Sequence, residues 1–116
     1  MSTRSRIALK LEDGQYRSVY CHWDGYPEGV GLVLSRHYHS EPKAHMVVRK
    51  GDLSSLEPQA PDAYKDRGEP WERVKPVISP TRAHLLATAR NDGADFLYTF
   101  ANDQWHTTAL KEDAYD

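Results

Sequence analysis

Tyr20-Cys21-His22-Trp23-Asp24-Gly25-Tyr26-Pro27-Glu28-Gly29-Val30-Gly31 gathers three aromatics, a His, two carboxylates and three Gly into twelve residues. A connection that only reverses the chain has no use for a Trp, a Tyr and a His. Trp23 and Tyr26 have π-faces on which a nucleobase can stack, a contact worth ~1–3 kcal/mol per base. The planar forks of Arg4 and Arg6, a short way upstream, match phosphate or carboxylate. A helix opening at Pro27 offers free N–H groups to an anion. Tyr20, His22 and Asp24 supply polar contacts, and His22 beside Asp24 has the residue types of an acid–base pair. Asp24 and Glu28 would repel phosphate, so Asp24 either accepts from a ribose hydroxyl or base edge, or caps the helix. The plain alternative is a structural strand–turn–helix junction with Trp23 in the core.

A second candidate is Tyr64-Lys65-Asp66-Arg67-Gly68-Glu69. Here Asp66 and Arg67 could clamp an anion or close over the first stretch, or form a self-satisfied charged turn. The six His residues lack metal-ligand spacing, and neither H-E-x-x-H nor a Cys pair is present. No metal and no cofactor is therefore expected. Gly25, Gly29 and Gly31 do not match dinucleotide or Walker spacing. Cys21 precedes His22 on a strand, where neighbours face opposite ways, so the two are not a catalytic pair. A small core residue is the expectation for Cys21.

At 116 residues the chain is expected to be a single domain over 1–116. One cysteine excludes an internal disulfide framework and suits a reducing cytoplasm. No apolar run approaches the roughly 20 residues of a membrane span, so no membrane partner is expected. Residues 1–50 carry eight Lys/Arg against five Asp/Glu, and residues 51–116 carry seven against twelve. A basic half can attract an anionic ligand. The overall pI of about 6.3 disfavours duplex nucleic acid as a partner.

The positioning elements follow from pattern. Ile7–Glu12 and Gln15–His22 flank Asp13-Gly14, a strong hairpin signal. Ile7, Leu9, Val19 and Cys21 are assigned to the inward face, leaving Tyr20 and His22 on the other. A first helix opens at Pro27, with Val30, Val33, Leu34, His37 and Tyr38 on one side. A second is capped by Ser40 and stops at Gly51, with Asp52–Leu56 as a short turn. Residues 57–79, with four Pro, read as a long loop. A third helix opens at Ser79-Pro80 and ends at Asn91-Asp92-Gly93. Phe96–Phe100 and Gln104–Thr108 form a second hairpin. Residues 111–116 read as a frayed acidic tail. The class is α+β: two terminal hairpins in an antiparallel sheet with about three helices on one face. The opposite face, carrying Tyr16, Tyr20, His22 and Trp105, would need a ligand or a homo-oligomer to cover it.

Ser2-Thr3-Arg4-Ser5-Arg6-Ile7, the Cys21–Pro27 run, Gly51–Leu56, Asp66-Arg67-Gly68-Glu69 and Phe96-Leu97-Tyr98 together resemble a family of small bacteriophage and prophage accessory proteins. The resemblance implies a phage origin and action in the cytoplasm of the bacterial host, with no catalytic set to carry over. Such proteins often blunt bacterial immunity by sequestering nucleotide signals or by blocking a defence protein. Three functions are therefore expected to compete. The first is a non-enzymatic protein, plausibly oligomeric, sequestering a small phosphorylated nucleotide. There Arg4, Arg6 and Arg67 hold phosphate, Trp23 and Tyr26 stack, and Tyr20, His22, Asp24 and Asp66 add polar contacts. The second is a blocker of a host defence protein such as a CRISPR complex or nuclease, its acidic C-terminal part mimicking nucleic acid. The third is an enzyme degrading the nucleotide signal, with His22 as general base.

Overall fold

The computed structural model describes residues 3–110. The expected 111–116 tail lies outside them. The chain is α+β, and its terminal hairpins do join one sheet. Strand β1 (Ser5–Lys10) turns through Asp13-Gly14 into antiparallel β2 (Tyr16–Cys21). Gly14 takes φ +87°, and Asp13 Oδ1 accepts from Gln15 N at 3.0 Å, closing the turn. Strands β6 (Phe96–Ala101) and β7 (Gln104–Ala109) form the second hairpin. Its turn residues Asn102 and Asp103 sit at φ +53° and +63°, the left-handed pair a tight hairpin needs.

The sheet is mixed, where a wholly antiparallel one was expected. β1 runs parallel to β6, with Ser5 opposite Phe96. The physical reason is the helices between strands. A helical crossover returns the chain to the starting end of the sheet, so the next strand runs parallel. The same holds for β2 and β3 (Leu53–Leu56), which are parallel and linked by α1 (Leu32–His37) and α2 (Glu41–Arg49). Ser40 caps α2 as expected, its side chain accepting from Lys43 N.

Residues 57–79 are not a structureless loop. They hold β4 (Pro61–Ala63), a tight helical turn at Tyr64–Arg67, α3 (Trp71–Val74) and β5 (Val77–Ser79). The strands are three residues each, too short for a period-two signal. Residues expected as a short turn, Leu53–Leu56, are β3. The last helix, α4 (Arg82–Asn91), is capped by Thr81 and not by Ser79, which belongs to β5.

Helices cover both faces of the sheet, where one covered face was expected. On the first face Val30, Leu34, Tyr38, Val47 and Val48 pack on Ile7, Leu9, Val19, Cys21, Tyr98 and Phe100. On the second, Leu85 and Leu86 of α4 pack on Ala8, Tyr16 and Leu97. Tyr16 is therefore covered by this chain's own helix. Trp105 is on the first face: its ring lies edge-on to Phe100, and Nε1 donates to Tyr38 O at 3.1 Å.

β1 lies between two strands and under two layers, so Ser5 through Leu9 are all buried. That burial includes Arg6, 2% exposed. A buried guanidinium must be paired and hydrogen-bonded. Nε donates to Ser18 Oγ at 2.8 Å, Nη2 to Ser18 O at 3.3 Å, and Nη1 bridges to Asp92 at the end of α4. Asp92→Ala leaves this charge unpaired. Its expected cost is about 3–5 kcal/mol, at the lower end because Asp92 is partly exposed. Asp62→Ala, which removes the partner of exposed Arg67, leaves the urea midpoint nearly unchanged; equal losses in the two variants would contradict the assignment.

Candidate functional site

The Trp23 stretch is a rigid junction. After Cys21 the chain keeps pairing with β3: His22 N donates to Leu53 O at 3.1 Å and Trp23 N to Ser54 O at 2.9 Å. Asp24 then turns the chain in the left-handed region at φ +57°. Gly25 tucks against the start of β1, donating to Thr3 O at 2.8 Å and accepting from Tyr98 Oη at 2.6 Å. A Cβ at Gly25 would stand 2.8 Å from three atoms of Thr3–Ser5, so only glycine fits. Asp24 O accepts from Val30 N at 2.8 Å, tying the turn to a single wide helical turn at Pro27–Gly31.

On this frame the aromatics form a row. Tyr20 and His22 share a face of β2, with Tyr20 Oη 2.7 Å from His22 Nδ1. The His22 ring stands edge-on to Trp23 at 4.7 Å. Trp23 is 47% exposed, so the core alternative for it is excluded. Tyr26 is also exposed, its hydroxyl reaching Asp24 Oδ1 at 3.5 Å.

The cations divide. Arg4, just before β1, is close enough to Tyr20 for its charge to act on the phenol. Arg4 is exposed, and a Cβ at Gly93 would come 2.8 Å from its Nη1, so the glycine leaves room for the fork. Arg6 lies beneath, consumed by Ser18 and Asp92. Arg67 donates to Asp62 Oδ2 at 2.6 Å, its guanidinium 5.9 Å from the Tyr64 ring centre. Asp66 stands 3.7 Å from Lys65 Nζ. The structure thus brings Tyr20, His22 and Trp23 together, with Arg4 near Tyr20 and with Asp24 and Tyr26 on the adjoining turn. Arg6 and Arg67 are engaged by carboxylates of their own.

Sequence reasoning missed the roles of Asp52 and Asp92 here. Asp52 Oδ1 accepts from Tyr20 N at 3.0 Å, filling the gap on the β2 edge between β3 and β5. Its backbone oxygen accepts from Tyr64 N at 3.1 Å, which brings the 64–67 turn alongside. Asp52 and Asp92 each follow or sit within a helix-stop pattern, which masked them. The available signal was Arg6 itself, a charge directly before the apolar run Ile7-Ala8-Leu9, which calls for a carboxylate without saying which one.

Burial pushes Asp52 above the ordinary carboxylate value, partly offset by the Tyr20 N–H and by Arg6. Burial likewise raises the Tyr20 phenol, with the Arg4 charge pulling the other way. The phenol therefore stays protonated at neutral pH, with its oxygen in hydrogen-bond contact with His22 Nδ1. Burial pushes the Cys21 thiol up to about 12, so it is neither ionised nor nucleophilic. Among the described residues no three His, Cys, Asp or Glu gather to hold a metal ion. No described helix is long and apolar enough to cross a membrane. The arrangement is suited to stacking and hydrogen bonding on a half-exposed indole, with the Arg4 charge near Tyr20.

Comparison of the chain with protein-family models, with curated proteins and with solved structures gives no significant match.

Because folding holds Asp52 up, its ionisation works against the fold, and its contribution to stability declines as pH rises above 3.8 toward the raised value. Asp52→Asn keeps an acceptor for Tyr20 N and removes that decline. Asp52→Ala orphans the N–H at a cost of about 1–3 kcal/mol. Urea midpoints from pH 4 to 7 distinguish them: the Asn variant is flatter with pH and at least as stable as wild type at pH 7. A thiol reagent at pH 8 should label Cys21 only after denaturation.

Proposed function

We propose that the protein is a non-catalytic binding protein, encoded by a bacteriophage, that sequesters a small phosphorylated nucleotide in the host cytoplasm. The observation that carries this reading is the half-exposed Trp23 indole, braced edge-on by His22, with Arg4 acting on the neighbouring Tyr20. A base stacks on Trp23, a phosphate meets Arg4, and Asp24 accepts from a ribose hydroxyl or base edge. Stacking adds ~1–3 kcal/mol and a charged hydrogen bond about 1.5–3 kcal/mol. Together these reach only roughly millimolar affinity. Tight capture therefore needs more contacts, which a second copy of the chain would supply. The resemblance to phage accessory proteins supports the setting.

A second reading, a blocker of a host defence protein, draws on a different observation. Trp23 and Tyr26 are both exposed beside Asp24 and Glu28. Trp and Tyr are the residue types that anchor protein interfaces, and the carboxylates imitate nucleic-acid charge. Degradation of the nucleotide with His22 as base lacks a comparable observation, since the neighbouring thiol is inert.

Calorimetry against cyclic and linear nucleotides is the test. Binding is expected, weakened at least tenfold by Trp23→Ala and by Arg4→Ala. Silence across the panel, with a stoichiometric protein captured from host lysate, would transfer the role to the second reading. Chromatographic turnover of the nucleotide would refute a purely binding role.

A further inference from the structure

Arg17 lies on β2 with the parity of Val19 and Cys21, so its side chain leaves the sheet on the face opposite Tyr20 and His22. Its cross-strand partner on β5 is Ile78. Next to this pair, Arg49 ends α2, and Trp71 begins α3 with Lys75 and Pro76 following it. These six residues line one open cleft of about 340 Å³.

Three cations and an indole face this space, and no carboxylate lines it. Among the described residues neither Arg17 nor Arg49 makes an ion pair; the pairs belong to Arg6, His45, Lys65, Arg67 and Lys75. Lys75 holds Glu72 at 2.9 Å, a pair exposed to solvent on both sides. Arg6 and Arg67 each hold a carboxylate; among the described residues these two do not. Like charges converging on one cleft repel, and an anion placed between them relieves that repulsion.

The indole is positioned as well. Gly51 takes φ +81°, and a Cβ there would stand 2.9 Å from Trp71 Cζ3 and 2.6 Å from Val74 O. Asp52 N donates to Val74 O at 2.7 Å, locking α3 to the same turn. Only glycine lets the ring rest against the α2–β3 connection, and the indole, still 42% exposed, also lines the cleft. A planar cation fork and a held aromatic plane are the two parts that a phosphorylated aromatic molecule requires.

Volume narrows the class. Ligand pockets run from about 300 to 1,000 Å³, so this one is at the small end. A volume of that size suits one ring system with one phosphate. We propose that the cleft binds a nucleoside-monophosphate-sized ligand, its phosphate on Arg17 and Arg49 and its base on Trp71. This site is independent of the Trp23 patch and stands or falls separately.

Titrate the full chain by calorimetry with nucleoside 5′-monophosphates, the same nucleosides without phosphate, and an eight-nucleotide single strand. A monophosphate is expected to bind, the matching nucleoside at least tenfold more weakly, and binding to weaken with added salt. Arg49→Glu and Trp71→Ala each lower affinity at least tenfold, while Trp23→Ala leaves it unchanged. Arg49→Gln, a change at an exposed helix end, gives a smaller loss in the same direction and covers the case where Trp71→Ala fails to fold. No monophosphate binding overturns the proposal, as does binding indifferent to Arg49→Glu or a preference for the oligonucleotide. Loss in Trp23→Ala with none in Arg49→Glu would assign nucleotide binding to the patch and not to the cleft.

Discussion

A single guanidinium buried at the centre of the sheet organises much of this molecule. Arg6 is on the strand that is covered on both faces and paired on both edges, where an unpaired charge is untenable. Ser18 on β2 and Asp92 at the end of α4 satisfy it. The interaction therefore ties together the middle strand, its partner and the helix that closes the second face. Beyond Asp92 the chain turns at Gly93, and the second face opens at Arg4, Tyr20 and His22.

That geometry separates two kinds of surface. At the β2–β3 end, aromatics dominate: Tyr20, His22 and Trp23 are linked by a hydrogen bond and an edge-on ring contact. The cations expected to serve them are largely spent, Arg6 on Asp92 and Arg67 on Asp62. On the other face of β2, Arg17 and Arg49, without an ion pair among the described residues, stand with Trp71. Aromatic and cationic chemistry are thus both present, but the combination richest in free positive charge is away from the stretch richest in aromatic residues.

Much was legible locally. Asp13-Gly14 marks the first hairpin because left-handed turn residues leave few alternatives, and Ser40 marks the start of α2 because a hydroxyl there caps an orphan N–H. The alternation placing Val19 and Cys21 inward and Tyr20 and His22 outward is also as expected. The 57–79 segment was illegible because its strands are three residues long and stabilised by β2 and β3, not by their own pattern. In the candidate site the exposed Trp23 could be nominated from its neighbours. The spending of Arg6 could not, because Asp92 lies 86 residues away.

By itself the amino-acid order determined the class of the fold, the opening hairpin, the capped helix and the nomination of the Trp23 stretch, since each rests on contacts between residues a few positions apart. Only the tertiary structure decided that the sheet is mixed, that α4 closes the second face, which arginines are neutralised, and that Arg17, Arg49, Trp71 and Lys75 share a cleft. Those outcomes depend on strand register and helix crossover, which juxtapose residues from distant segments and leave no periodic trace along the chain.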